Sequence, residues 1–204
     1  MASGAVQGVI FDIGNVIVRW DPRTLYARVF PDPAECDWFL ANVCTMAWHT
    51  AHDAGVSFAK NRRPLLERYP EHAGAIHAWE QRWTEMFSGA IAETEAAIEA
   101  LAARGVPMFG LTNMSHETVA ATLAMSPAFA RLTDIVVSGR EGVVKPDPRI
   151  FEIACERAGM APGQLLFVDD SPPNVEAARA LGFDAWLFAD PAALRPALAA
   201  RGLL

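Results

Sequence analysis

The sequence predicts an α/β fold: a doubly wound, parallel, Rossmann-like sheet with a helical cap inserted after its first strand. Three observations carry this. Short apolar, β-branched runs recur without polar alternation, as in strands covered on both faces. Helix-length segments separate them, which is the pattern of crossover connections. One long stretch, 19–91, breaks the alternation with helical spacing alone. The 204 residues are 52% hydrophobic, enough to close one such core and leave material for a small second unit.

The first strand is expected over 6–11, ending on Asp12, and later ones over 106–111, 133–137 and 165–168, with a weaker run at 185–188. Asp147 and Ser171 each precede a proline, the pattern of a capping side chain ahead of a first-turn Pro. Gly105, Gly159 and Gly182 stand where helices want a left-handed terminator. Within 19–91 no strand is expected; Phe58, Leu65, Leu66 and Tyr69, then Ile76, Trp79, Trp83 and Phe87, recur at helical spacing. They read as the core of a cap. The Rossmann-like core is then 1–18 plus 92–204, and an Ala-rich helix is expected over 191–201.

The net charge of −7 and the absence of any basic run argue against nucleic acid, whose affinity comes largely from Lys and Arg neutralising phosphates. No apolar stretch reaches membrane-spanning length, and residues 1–7 have neither the basic start nor the apolar run of a leader. Cys36, Cys44 and Cys155 are odd in number and lack C-x-x-C spacing, so they read as small core residues rather than disulfides or zinc ligands. A cytoplasmic protein is expected, as monomer or homodimer.

Ligands of an open parallel sheet bind at the carboxyl ends of its strands. There the sequence places Asp12-Ile13-Gly14-Asn15-Val16, Thr112-Asn113, Lys145-Pro146-Asp147 and Asp169-Asp170-Ser171. A strand-end carboxylate such as Asp12 can attack an electrophile and divide one hard displacement into two easier ones. Asp169 and Asp170 would crowd further anions beside it, which raises carboxyl pKa values unless a cation intervenes; magnesium, an oxygen-seeking ion, suits such a mouth. Lys145, one of two lysines in the chain, offers a fixed positive charge.

Four motifs of these types in this order resemble the haloacid dehalogenase-like hydrolase superfamily over essentially the whole chain, and in particular the branch that includes sugar-1-phosphate phosphatases. The resemblance implies Asp12 as nucleophile, and Mg²⁺ held by the Asp12 carboxylate, the Gly14 carbonyl and Asp170, with Asp169 beside the ion or one layer behind. It also implies Lys145 as the orienting charge, Thr112 as a donor to phosphate oxygens and Asn113 as its companion. The expected substrate is a small phosphorylated metabolite such as a sugar phosphate. Asn15, Arg19, Trp20, Trp48, His49 and Asp53 are candidates to contact it.

One position departs from the pattern. Most phosphatases of the superfamily carry a second Asp, an acid–base catalyst, where this chain has Gly14. Such catalysis contributes about 10² to 10⁴ in rate, so a cap residue, water or an easily expelled leaving group must replace it. Alternatively Gly14 serves a positive-φ turn. The gap keeps two other readings open: a 2-haloacid dehalogenase using the same Asp12 without metal, and a binding protein of weak catalytic power.

Overall fold

The computed structural model describes residues 5–204. Its strands are β1 Gly8–Phe11, β2 Val18–Trp20, β3 Phe87–Ala90, β4 Met108–Thr112, β5 Asp134–Val137, β6 Leu165–Asp169 and β7 Asp184–Leu187. The main sheet has the order β5-β4-β1-β6-β7, every neighbouring pair parallel. From β1 the chain winds to β4 and β5 on one side and then crosses to β6 and β7 on the other. The winding therefore reverses beside β1, which opens a crevice at the carboxyl ends of β1 and β6.

Strand periodicity explains why the central strands are apolar throughout. Val9, Phe11, Leu166 and Val168 belong to one hydrophobic cluster, and Ile10, Leu165 and Phe167, the alternate residues, to another. Each face thus has its own helical layer. After the insertion, whose helices are α1 Pro22–Val29, α2 Pro33–Asn42, α3 Met46–Asp53, α4 Phe58–Arg68 and α5 Ala73–Gln81, come α6 Ala92–Ala103, α7 Val119–Leu123, α8 Ser138–Glu141, α9 Pro148–Ala158, α10 Pro172–Ala180 and α11 Leu194–Ala199. Ile98 and Leu101 of α6, Val119 of α7 and Leu198 of α11 pack with the first cluster. Ile150 and Phe151 of α9 and Val175 of α10 pack with the second.

Two expectations need correction. The insertion is not free of strands: β2 and β3 pair as an antiparallel ribbon, Val18 opposite Ala90 and Arg19 opposite Gly89, at its two ends. Strands of three and four residues, one of them Phe-Ser-Gly-Ala, carry no apolar run that could announce them. Nor does Ser171 cap α10 with its side chain; its backbone N–H instead donates to Asp169 Oδ1 at 2.8 Å. Asp147 does cap α9, accepting from the Arg149 N–H at 2.8 Å, and Gly159 ends that helix at φ 65°.

The five helices of the insertion surround their own aromatic core. Tyr26, Phe39, Phe58 and Ile76 are buried with Trp79, which is wholly inaccessible. Leu65, Leu66 and Tyr69 pack at its margin. Three contacts dock this unit on the sheet: Ser138 Oγ donates to the Asp53 carbonyl at 2.6 Å, the Phe58 N–H to Glu117 Oε2 at 2.7 Å, and Trp83 Nε1 to Thr122 Oγ1 at 2.9 Å. Cys36, Cys44 and Cys155 are free thiols. Among the described residues no helix is long and apolar enough to cross a membrane.

Candidate active site

Asp12 follows the last residue of β1, nearly buried at the crevice. Its Oδ1 receives the Ile13 N–H at 2.7 Å and lies 2.9 Å from Lys145 Nζ. The same ammonium lies 2.7 Å from Asp169 Oδ2 and donates to the Leu111 carbonyl at 2.9 Å. An ammonium has three N–H donors, so Lys145 is saturated and held as a fixed charge. Burial works against that charge, but Asp12 and Asp169 outweigh it and keep the lysine pKa above its ordinary value.

Asp169 is wholly buried and takes, besides Lys145, the Ser171 N–H and the Asn174 amide at 3.0 Å. Its oxygens are occupied by protein donors, whereas Asp170 is half-buried and lines the crevice. Asn174 escaped the sequence reading; its signal was a polar residue in the first turn of the helix that follows the acidic pair. Asn113 lines the crevice beside Thr112; its amide also donates to the Lys145 carbonyl at 3.0 Å and accepts the Lys145 N–H at 2.8 Å, so this side chain clamps the lysine loop. Thr112 itself is buried on the wall of the crevice.

Asp12, Asp169 and Asp170 each offer a carboxylate oxygen within 4.8 Å of the others. Burial, only partly opposed by Lys145 and reinforced by Asp169, pushes the Asp12 carboxyl up to about 7. Burial and Asp169 raise Asp170 as well. Three carboxylates face one ammonium, and the excess negative charge, offered by hard oxygen donors, fits a divalent cation of the magnesium kind.

The crevice is a cavity of about 270 Å³, slightly below the usual range for ligand pockets. Of the candidate substrate contacts, Asn15, Trp20, His49 and Asp53 line it. Asn15 holds the turn after Gly14 at φ 57° and accepts the Trp20 N–H on its side chain at 3.0 Å. Arg19 is exposed and Trp48 lies outside the lining. On β2, alternation sends Trp20 toward the cavity and therefore Arg19 to solvent. Trp48 packs edge-on to Trp79 and donates to the Asn61 carbonyl at 3.1 Å, as part of the insertion's core. Trp83, which reads from sequence as core alone, also lines the cavity.

Gly14 is not among the positive-φ residues, and a Cβ built there meets no atom within 4 Å. The turn does not demand glycine; the unusual backbone belongs to Asn15. Across the cavity, His49 stacks on Trp20 at 5.2 Å and places Nε2 3.6 Å from Asp53 Oδ1. Burial pushes His49 down to about 3 and Asp53 up to about 7, the latter in spite of Lys145. Both groups are therefore held toward their neutral forms rather than as an ion pair. Among the described residues, Trp20 Nε1, His49 Nδ1 and Asp53 Oδ1 are buried without a hydrogen-bond partner.

A buried lysine between strand-end carboxylates, at the switch point of a parallel sheet and beneath a helical insertion, marks a class of α/β hydrolases. The model of the haloacid dehalogenase-like hydrolase family matches residues 6–182. The chain belongs to that family. It is 37% identical to a phosphoglycolate phosphatase of Escherichia coli O157:H7 over 204 aligned residues, covering 87% of this chain and 79% of that one. It is 36% identical over 87 residues to mouse acyl-CoA dehydrogenase family member 10, a match that takes in 42% of this chain but 8% of that much longer protein. In fold it is similar to a haloacid dehalogenase family enzyme of Bacteroides thetaiotaomicron, solved in complex with magnesium and inorganic phosphate. The TM-score is 0.68 at 18% identity, over 89% of this chain and 93% of that one.

Proposed function

We propose that the protein is a magnesium-dependent phosphatase that hydrolyses a small phosphorylated metabolite through a phosphorylated Asp12. The observation that carries this reading is the charge arrangement: Asp12, Asp169 and Asp170 within 4.8 Å, against Lys145 alone. Asp12, the Gly14 carbonyl and Asp170 would hold the ion, and Asp169 would instead position Lys145. Bound there, magnesium supplies charge neutralisation for the carboxylates and for a phosphoryl group. The phosphatase name of the E. coli relative supports the reaction class, and the small cavity favours a compact substrate such as a sugar phosphate.

In this reading Lys145 and the Ile13 N–H fix Oδ1 of Asp12, which leaves Oδ2 to attack phosphorus. The Thr112 hydroxyl donates to a phosphoryl oxygen, and Lys145 offsets negative charge as it builds. The inserted helices, joined to the sheet through Ser138, Glu117 and Trp83, wall the reacting atoms from bulk water. We place the cap–core boundary at the β2–β3 ribbon.

Gly14 favours a second reading, in which Asp12 displaces halide from a 2-haloacid, a reaction that needs neither proton donor nor metal. A panel of phosphate esters and haloacids, each with magnesium or with chelator, separates the two. The phosphatase reading expects phosphate release that stops on chelation and falls by roughly 10³-fold or more in Asp12→Asn. Halide release that survives chelation would replace it with the dehalogenase.

A further inference from the structure

We propose that the carboxyl of Asp53, carried on the inserted helices, is the general acid that protonates the leaving oxygen and, afterwards, the base that activates water. The proposal rests on the phosphatase reading above.

The space beside Asp12 that a side chain at position 14 would occupy is open, with no atom within 4 Å of the missing Cβ. A positioned proton donor, if the enzyme has one, then stands elsewhere on the cavity wall. Lys145 has each of its three N–H bonds directed at Asp12, Asp169 or Leu111. Asp12 is the attacking group, and Asp170 faces it on the side of the acidic cluster. His49, neutral and buried, has no readily lost proton. Asp53 remains, and three features suit it.

Its side chain lines the same cavity yet is 7% exposed, and Oδ1 has no hydrogen-bond partner. Oδ1 is shielded and faces His49 Nε2 at 3.6 Å, which leaves Oδ2 as the oxygen open to a substrate. Its backbone is anchored to the core, because the Asp53 carbonyl accepts from Ser138 Oγ at 2.6 Å. Ser138 in turn accepts the Met114 N–H, two residues after Thr112. The end of the helix that carries Asp53 is thus tied to the loop that follows Thr112. Burial also keeps its proton on near neutrality, at about 7, where a group that both gives and takes a proton works best.

The steps balance. Oδ2 of Asp12 forms a bond to phosphorus while the bond from phosphorus to the ester oxygen breaks. That oxygen keeps the electron pair, takes the Asp53 proton and departs as an alcohol. Water enters the vacated place, gives a proton to the Asp53 carboxylate and attacks phosphorus. The bond to Asp12 then breaks with its electrons returning to the carboxylate, which releases inorganic phosphate and restores protonated Asp53.

The test is a leaving-group series, from alkyl phosphates to 2,4-dinitrophenyl phosphate, on the wild type, Asp53→Asn, and Asp53→Asn combined with Gly14→Asp. The wild type should show a shallow dependence of kcat/KM on leaving-group pKa. Asp53→Asn should lose about 10²-fold in kcat/KM on alkyl phosphates and little on the dinitrophenyl ester, whose leaving group needs no proton, while its kcat falls for every ester because hydrolysis of phospho-Asp12 is common to them. Gly14→Asp should restore part of the alkyl kcat/KM in the double variant. A uniform loss of kcat/KM across the series, or none, overturns the assignment. If Asp53→Asn does not fold, the wild-type slope still decides, because a steep slope means no positioned acid. A wild type inert toward every ester with magnesium removes the phosphatase reading itself, a result distinct from an active enzyme with a steep slope.

Discussion

Lys145 shows how much one residue carries in this site. It neutralises two buried carboxylates at 2.7 and 2.9 Å, and removing one member of a buried ion group costs about 3–5 kcal/mol because the remaining charge has no partner. Lys145→Met should therefore lose activity and, in the metal-free protein, lower unfolding stability by about 3 kcal/mol in urea titrations; a loss below about 1 kcal/mol would show that the carboxylates are neutral without it. His49 makes a second prediction. Its folded pKa, about 3, lies below the unfolded value near 6.5. The unfolded chain protonates first as pH falls, so the His49 contribution is complete above about 6.5 and declines toward 3. Asp53, raised to about 7, has the opposite slope, its contribution complete below about 3.9 and declining as pH rises toward 7, so the two nearly cancel in between. The stability difference between wild type and His49→Gln should accordingly shrink by about 1.4 kcal/mol per pH unit below 6.5; a constant difference would mean that His49 and Asp53 form a charged pair. Asp12 was legible in the sequence because it ends an apolar strand run, and Lys145 because the chain has one other lysine and a proline follows it. The commitment of Asn113 to the lysine loop was not, since an amide pairs with whatever backbone the fold brings near it.

At the scale of elements, the insertion works only if α3 is held at a defined height over the sheet. Gly139 sets that height: a Cβ there would come within 2.6 Å of the His116 nitrogen, and its carbonyl lies 3.0 Å from the Cβ position of Gly55, which follows α3 at φ 94°. Ser138 completes the joint by accepting from Met114 and donating to Asp53. Ser138→Ala should leave both buried backbone groups unpartnered, at about 1–3 kcal/mol each. Faster hydrogen exchange over residues 46–56 together with a lower melting temperature is the expected outcome; unchanged exchange there would mean that other contacts hold α3. The main-sheet strands could be read because a twice-covered strand must be apolar throughout. The ribbon β2–β3 and this joint could not, because strands of three and four residues are too short to show a pattern and because Ser138 and Gly139 acquire meaning from a partner distant in sequence. Arg19 and Trp48 illustrate the same limit: composition nominates both as substrate contacts, while strand alternation turns one to solvent and the aromatic core takes the other.

At the scale of the whole molecule, a parallel sheet that reverses its winding beside β1 brings Asp12 and the acidic pair at the end of β6 to one crevice, where their carboxylates repel one another. Such a site weakens the metal-free protein and strengthens the metal-bound one. Magnesium at about one hundred times its dissociation constant should stabilise the fold by about 2.7 kcal/mol, which for a chain of this size is a rise of roughly 5–10 °C in Tm. Asp170 is the carboxylate on which the two effects oppose each other. In Asp170→Ala the magnesium-induced rise should disappear, while the metal-free variant should melt no lower than the metal-free wild type, because a carboxylate that burial and Asp169 already disfavour has been removed. Calorimetric melts of both proteins with magnesium and with chelator check both halves. If the rise persists in the variant, the ion binds without Asp170; if the metal-free variant melts well below the wild type, Asp170 is a structural residue, and the electrostatic account of this crevice is wrong.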